Sequence, residues 1–291
     1  DCTCIYTLTE KELLEDLIRQ NNKPYKVVSS EYVARVKGVE EAKIDYMLHQ
    51  GTKEFDSLEG LNFNIKTKTK DVECHTNLIM PFNALNITLA YAILDSLGEM
   101  EDSKFNQLLE EIKIPGRDEV IRYNGRTIII TITCTPHLEI IKRYKEKGKV
   151  KNIRLVTGSF GKGFNSWLEE YKEEKFTKYV EESMRWAYSY FVKNVDQIYI
   201  TTNDNAYSNI TELLGKQKKE VEGKTTYFLI EDRKEAIKKA IEDSERNDVI
   251  IISGRGNRSI FCKDRRNVEI YLDRSIVEEE IIKKKEEDNA N

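Results

Sequence analysis

The residues of this chain whose types could support chemistry gather in a few short segments. Gly158-Ser159-Phe160-Gly161-Lys162-Gly163 is glycine-rich and carries a lysine. Glycines let backbone N–H groups approach an anion and Lys162 adds charge, so Gly158, Gly161 and Lys162 are candidates for a phosphate contact; a tight strand-to-helix turn is the alternative reading. Asn203-Asp204-Asn205 offers polar side chains to a ligand, although Asn and Asp also end strands by forming turns. Gly254-Arg255-Gly256-Asn257-Arg258 carries two guanidiniums, which suit a carboxylate or a phosphate, or belong to a solvated surface. His137 follows Cys134-Thr135-Pro136, where a helix start is its more ordinary role.

Other features exclude chemistry. Glu222-Gly223-Lys224-Thr225-Thr226 reproduces the end of a P-loop. The full motif needs a glycine five residues before Gly223, where Lys218 stands, and it needs a strand before and a helix after. A lysine-rich polar stretch precedes this segment and a strand pattern follows it, so it reads as a turn. His49, His75 and His137 share no metal or catalytic spacing, and no G-x-S-x-G element occurs. The five cysteines are odd in number and scattered, which argues against a disulfide framework. Cys2 and Cys4 have no second pair to complete a tetrahedral metal set.

The elements that must position these segments follow from hydropathy. Of 291 residues, 39% are hydrophobic, enough for a core. The net charge of −4 argues against a general nucleic-acid binder. No apolar run is long enough to span a membrane, and the N-terminus lacks the pattern of a signal peptide, so a cytoplasmic location is expected. Strands are predicted at 4–7, 26–29, 61–67 and 72–80, and helices at 10–20, 81–97 and 102–112, with Gly98 stopping the second helix. Ile114-Pro115-Gly116-Arg117 interrupts the periodicity and marks a domain boundary. Beyond it, near-continuous apolar strands at 127–133, 152–157, 197–202, 227–230 and 249–253 alternate with helices, which indicates a parallel sheet covered on both faces. Residues 268–272 are expected to add an edge strand, and a charged, solvated helix to begin at Val277. Ligands of an open parallel sheet bind beyond the C-terminal ends of its strands, which singles out the loops at 134–137, 158–164, 203–207 and 254–259.

Taken in order, these segments resemble the second half of a Mur ligase, nearest to the MurE type. Met80-Pro81-Phe82-Asn83-Ala84-Leu85-Asn86 resembles G-x-F-N-x-x-N, and Ile114-Pro115-Gly116-Arg117-Asp118-Glu119 resembles the V-P-G-R-x-E linker. Thr131 to Pro136 stands where the family has D-Y-A-H-T-P. The loop at Gly158 resembles the family's glycine-rich loop, Thr202 to Asn205 resembles T-S-D-N, Asp232 to Ile237 resembles D-R-R-E-A-I, and Gly254-Arg255-Gly256 resembles the start of G-K-G-H-E. The resemblance implies a partial α/β central domain over residues 1–113, without its P-loop. It implies a C-terminal domain over 114–291, a Rossmann-like, mostly parallel sheet with helices on both faces. It also implies the family's chemistry, in which ATP with magnesium phosphorylates a carboxylate of a UDP-linked muramoyl peptide and an amino acid attacks the acyl phosphate.

The departures fall on that chemistry. Thr131 replaces an Asp that contacts the nucleotide, and Cys134 replaces a His. Ala206-Tyr207 follows Asn205 in place of Pro-Arg, and Asn257-Arg258 stands in place of His-Glu; Arg117 and Asp204 are kept. The ligand-binding candidates are therefore Arg117, Gly158, Gly161, Lys162, Asn203, Asp204, Asn205, Arg255 and Arg258, with no residue assigned to catalysis or to a metal. Three functions stay open. The chain is a non-catalytic relative that binds a nucleotide, a UDP-muramoyl peptide or a partner; it is half of an active ligase completed by a separate ATPase-bearing chain; or it is an unrelated nucleotide-binding α/β module.

Overall fold

The computed structural model describes residues 3–7, 11–20, 23–50, 57–99, 101–159, 173–204, 208–263 and 266–290. The chain forms two compact units, Asp1–Lys113 and Ile114–Asn291. The first unit is built from β1 (Cys4–Thr7), α1 (Lys11–Gln20), β2 (Tyr25–Ser30), α2 (Glu31–Lys37), β3 (Tyr46–Gln50), β4 (Leu61–Thr67), β5 (Asp71–Thr76), α3 (Pro81–Leu97) and α4 (Asp102–Glu111). Its strands lie in the order β1-β2-β3-β4-β5, parallel from β1 to β3 and antiparallel from β3 to β5. The antiparallel strands show a period of two. Leu61, Phe63 and Ile65 on β4 and Val72, Cys74 and Thr76 on β5 point inward. Pro81 opens α3 and Gly98 closes it in the left-handed conformation, at φ 73°. Met80, just before α3, holds φ 81° with its side chain buried. That is a costly backbone for a residue with a Cβ, and it sits where the resembled motif has glycine.

The second unit contains β6 (Glu119–Tyr123), β7 (Arg126–Thr131), α5 (Thr135–Glu146), β8 (Ile153–Thr157), α6 (Glu173–Asn194), β9 (Gln197–Ile200), α7 (Ile210–Val221), β10 (Thr226–Leu229), α8 (Arg233–Glu242), β11 (Val249–Ser253), β12 (Ile260–Cys262), β13 (Val268–Ile270) and α9 (Asp273–Ala290). Its main sheet has the order β10-β9-β8-β11-β7-β6, parallel except for β6 against β7. The central strands are apolar on both faces. Ile128, Ile130, Val156, Ile250 and Ile252 pack with Ala236, Ile237, Ala240 and Ile241 of α8 and with Ile276, Val277 and Ile281 of α9. The alternate residues Ile129, Leu155 and Ile251 are no more exposed, as a sheet covered by helices on both sides requires.

Several expectations need correction. Residues 268–270 do not extend the main sheet; they pair antiparallel with β12 as a separate two-stranded ribbon. The last helix starts at Asp273, and its first turns are core rather than solvated, because Ile276, Val277 and Ile281 seal one face of the sheet. β3, α2 and β6 were not expected from the sequence. The Gly223-Lys224-Thr225 segment is a turn, with Gly223 at φ 72°, that leads from α7 into the edge strand β10. Ile251 lies at the centre of the sheet, so Ile251→Ala is expected to cost about 2–5 kcal/mol in cavity and transfer energy. Urea unfolding followed by circular dichroism measures that loss; a midpoint equal to the parent's would contradict the burial described for this strand.

Candidate functional site

Strands β7, β8, β9 and β11 run parallel, so the loops that follow them emerge on one edge of the sheet. Glycines set how closely those loops approach each other. A Cβ on Gly158 would lie 2.2 Å from the Thr201 carbonyl oxygen, and one on Gly254 would lie 2.3 Å from Asn203 Nδ2. Asn203 is fully buried and its Nδ2 donates to the Gly158 carbonyl at 3.2 Å. Gly158 thus serves a close backbone approach. Gly161, Lys162 and Asn205 lie outside the described residues.

Asp204 accepts a hydrogen bond from the Cys262 backbone N–H at 3.2 Å and stands 3.8 Å from the Arg258 guanidinium. Partial burial lowers the pKa of Arg258 from its ordinary value; Asp204 opposes that shift and Arg255 adds to it. The two arginines differ completely in environment. Arg255 is fully buried, its guanidinium carbon 4.9 Å from the Phe261 ring and 4.4 Å from the Tyr271 ring, and Nη2 donates to the carbonyls of Arg258 and Ile260. The surface reading of Arg255 is therefore corrected. It is a structural cation stacked on aromatic faces.

Arg255 shares its counter-ion. Arg233, at the start of α8, makes a two-pronged pair with Asp273, from Nε to Oδ1 at 3.0 Å and from Nη2 to Oδ2 at 2.8 Å. Nη2 of Arg233 also donates to the Ser253 carbonyl at the end of β11, at 2.9 Å. Arg255 Nη1 lies 3.5 Å from Asp273 Oδ1, and all three side chains are fully buried. Sequence reading did not single out Arg233 or Asp273. The only signal was the likeness of Asp232-Arg233 to the start of D-R-R-E-A-I. Between the start of α8 and the ribbon, Thr202, Arg233, Lys234, Phe261 and Tyr271 line an open cleft of about 120 Å³, too small for a nucleotide.

The end of β7 holds a second buried cluster. The Thr131 hydroxyl donates to Asp118 Oδ1 at 2.9 Å, and His137 Nε2 lies 2.8 Å from the same oxygen. His137 sits in the first turn of α5. Asp118 takes a left-handed φ of 61°, which Asp tolerates better than most residues. The preceding Gly116 comes so close to the 256–257 backbone that a Cβ there would lie 2.3 Å from Asn257 N, and Arg117 is carried outward, exposed, on the same turn. Cys134 is buried, and burial pushes its thiol up to about 11, which disfavours the thiolate. Nor do the described residues provide a cradle for ATP phosphates and magnesium. In the one G-K-T segment, Lys224 Nζ is bound to the Glu220 carbonyl at 2.9 Å and an edge strand follows.

No family model matches the chain. It is 26% identical over 230 residues to the UDP-N-acetylmuramoyl-L-alanyl-D-glutamate–2,6-diaminopimelate ligase of Halalkalibacterium halodurans, covering 78% of this chain and 43% of that protein. The ligase of the same name from Aquifex aeolicus is 29% identical over 202 residues, covering 68% of this chain and 38% of that protein. A solved structure of a ligase of that name superposes with a TM-score of 0.58 over 97% of this chain at 17% identity, covering 53% of that chain. The chain is a Mur ligase relative. A Thermotoga maritima MurF ligase solved in complex with ADP shares the fold at a TM-score of 0.58 and 13% identity, over 98% of this chain and 55% of that one. A folylpolyglutamate synthase of the same organism shares it at 0.56 and 18%, over 84% and 48%. This Mur ligase relative spans about half the length, or less, of the curated proteins it matches.

The buried ion cluster gives the site a direct test. Asp273→Ala leaves two guanidiniums buried without their carboxylate, which is expected to cost about 3–5 kcal/mol of stability. Arg258→Ala, on a half-exposed side chain, is expected to cost under about 1 kcal/mol. Thermal unfolding of both variants measures the difference, and equal losses would show that Asp273 is not the organising charge.

Proposed function

We propose that this Mur ligase relative is not an amide ligase by itself and that its C-terminal unit retains a binding scaffold whose chemistry has changed. The observation that carries this reading is the one G-K-T triplet of the sequence, which lies in the turn before β10 with Lys224 Nζ on the Glu220 carbonyl and so forms no phosphate cradle. Phosphoryl transfer depends on positioning and charge around the β- and γ-phosphates, which a P-loop and its lysine supply. Purified chain with ATP, magnesium and a UDP-muramoyl peptide is expected to release no phosphate above background. Release above background would overturn the reading. A second reading, half of an active ligase completed by a separate ATPase-bearing chain, draws support from the fraction of each relative that the chain covers. Activity that appears only when a P-loop-bearing segment is supplied would favour it.

The loop pair after β9 and β11 also supports a changed specificity. By resemblance, the position of Tyr207 carries an Arg that pairs with a diaminopimelate carboxylate, and the position of Arg258 carries a Glu that favours its distal ammonium group. Tyr207 offers no charge-assisted bidentate contact. Arg258 would meet the ammonium group with like charge. Losing one charged contact alone costs about 1.5–3 kcal/mol. With Arg255 committed to Phe261, Tyr271 and Asp273, any preference for an anion such as phosphate or a dicarboxylate falls to Arg258. Calorimetric titration with diaminopimelate, phosphate and glutamate is expected to show no useful diaminopimelate binding. Micromolar diaminopimelate affinity that disappears in Arg258→Ala would defeat the argument.

A further inference from the structure

Strands β6 and β7 are joined by a two-residue turn, Asn124-Gly125, with Tyr123 paired to Arg126. Asn124 has φ 43° and Gly125 φ 73°, the two positive values of a type I′ turn. Both residues are exposed. Among the described residues, neither the Asn124 carboxamide nor the Gly125 backbone N–H has a hydrogen-bond partner. The fold demands glycine at 125, because its φ is left-handed and a Cβ there would lie 2.6 Å from Arg246 Cγ. The turn is also held from behind, since the Asn247 N–H donates to the Gly125 carbonyl at 2.9 Å. Arg126, whose Nε and Nη2 donate to the Ser244 carbonyl, places Nη1 3.4 Å from the Asn124 carbonyl oxygen.

We propose that Asn124 is a site of spontaneous deamidation in the folded protein, with water as the co-reactant. The Gly125 nitrogen, its proton passed to solvent, bonds to the side-chain carbonyl carbon of Asn124. The carboxamide C–N bond breaks, and ammonia leaves with a proton taken from solvent, which gives a five-membered succinimide. Water then opens the ring. Opening at the side-chain carbonyl gives Asp; opening at the main-chain carbonyl gives isoAsp, with the chain routed through the side chain. Either product replaces a neutral group by a carboxylate. Three features of the turn favour the step. The attacking nitrogen belongs to a residue with no side chain to obstruct it. Neither reacting group has a hydrogen bond within the protein to give up. The guanidiniums of Arg126 and Arg246 beside the turn stabilise the negative charge that builds up on the attacked carbonyl and the carboxylate that remains. The two products differ in consequence. Asp keeps the two-residue loop and tolerates its left-handed backbone. IsoAsp inserts a methylene into the loop, so the Gly125 carbonyl no longer meets the Asn247 N–H, and the turn loses its hold on the segment that leads into β11.

The test uses the full chain, kept folded at mildly alkaline pH and sampled over time. An isoaspartyl methyltransferase labels the isoAsp product, and peptide mapping separates the Asn, Asp and isoAsp forms of the segment around the turn. Asn124 is expected to convert several-fold faster than any other asparagine of the described residues. Asn124→Gln, whose longer side chain must close a six-membered ring, is expected to lose most of the label. Asn124→Asp carries the new charge without the extra methylene and is expected to melt at the parent temperature. The isoAsp form, isolated by chromatography, is expected to melt lower. Asn124 left intact while another of these asparagines converts overturns the proposal, and so does conversion confined to chain unfolded in urea. Label kept in full by Asn124→Gln assigns the reaction to another residue and overturns it as well. Equal melting of the isoAsp form and the parent overturns the consequence assigned to the turn. None of these outcomes bears on ligase activity.

Discussion

Asp273 is the carboxylate that makes two buried guanidiniums tolerable, and the C-terminal unit is arranged around that constraint. Removing Arg233, Arg255 and Asp273 from water carries a desolvation cost that only good geometry offsets. Here the geometry ties distant segments together. Arg233 brings the start of α8 to the end of β11 through the Ser253 carbonyl. Arg255 brings the loop after β11 onto the aromatic side chains of the ribbon and onto the carbonyls of Arg258 and Ile260. Asp273 is the first residue of α9. One ion cluster thereby fixes β11, α8, α9 and the ribbon, and with them the position of Asp204 through the Cys262 N–H.

Legibility in the sequence followed burial. β11 is a run of aliphatic residues and α3 is bounded by Pro81 and Gly98, so tertiary context and local signal agree for both. The two elements misjudged in extent or pairing, β13 and α9, mix charges with aliphatics. In α9 the aliphatic residues Ile276, Val277 and Ile281 are buried although the helix as a whole is highly charged. The ribbon was misread because a three-residue strand says nothing about which partner it pairs with. At the site, the convergence of the loops follows from parallel strands alone, whereas the burial of Arg255 does not. An arginine between two glycines looks exposed until the aromatic residues that cover it, Phe261 and Tyr271, are placed in space.

The glycine contacts explain how a loop edge can change its chemistry and keep its path. Gly116 meets the backbone at 256–257, and Gly158 meets the Thr201 carbonyl, main chain against main chain. A side chain at either position has no room, and no neighbouring substitution makes room. The adjacent positions face no such limit. Asn257 and Arg258 follow Gly256 directly, and Thr131 and Cys134 stand where the resembled motif has Asp and His. Asp118 and His137 now supply a buried carboxylate and imidazole beside Thr131, drawn from positions that the motif does not specify.

The place of β11 in the sheet has a consequence for how the unit is made. It is the last strand of the main sheet in the sequence, yet it sits in the middle and pairs Val249 with both Thr127 and Ile153. Until it is synthesised, β6–β7 and β8–β9–β10 are two separate pieces, each showing an open apolar edge. Such edges are sites of mispairing in a chain still emerging from the ribosome, and long-range closure of this kind slows folding. The strand that completes the sheet therefore also closes both open edges, leaving one face to be sealed by α9.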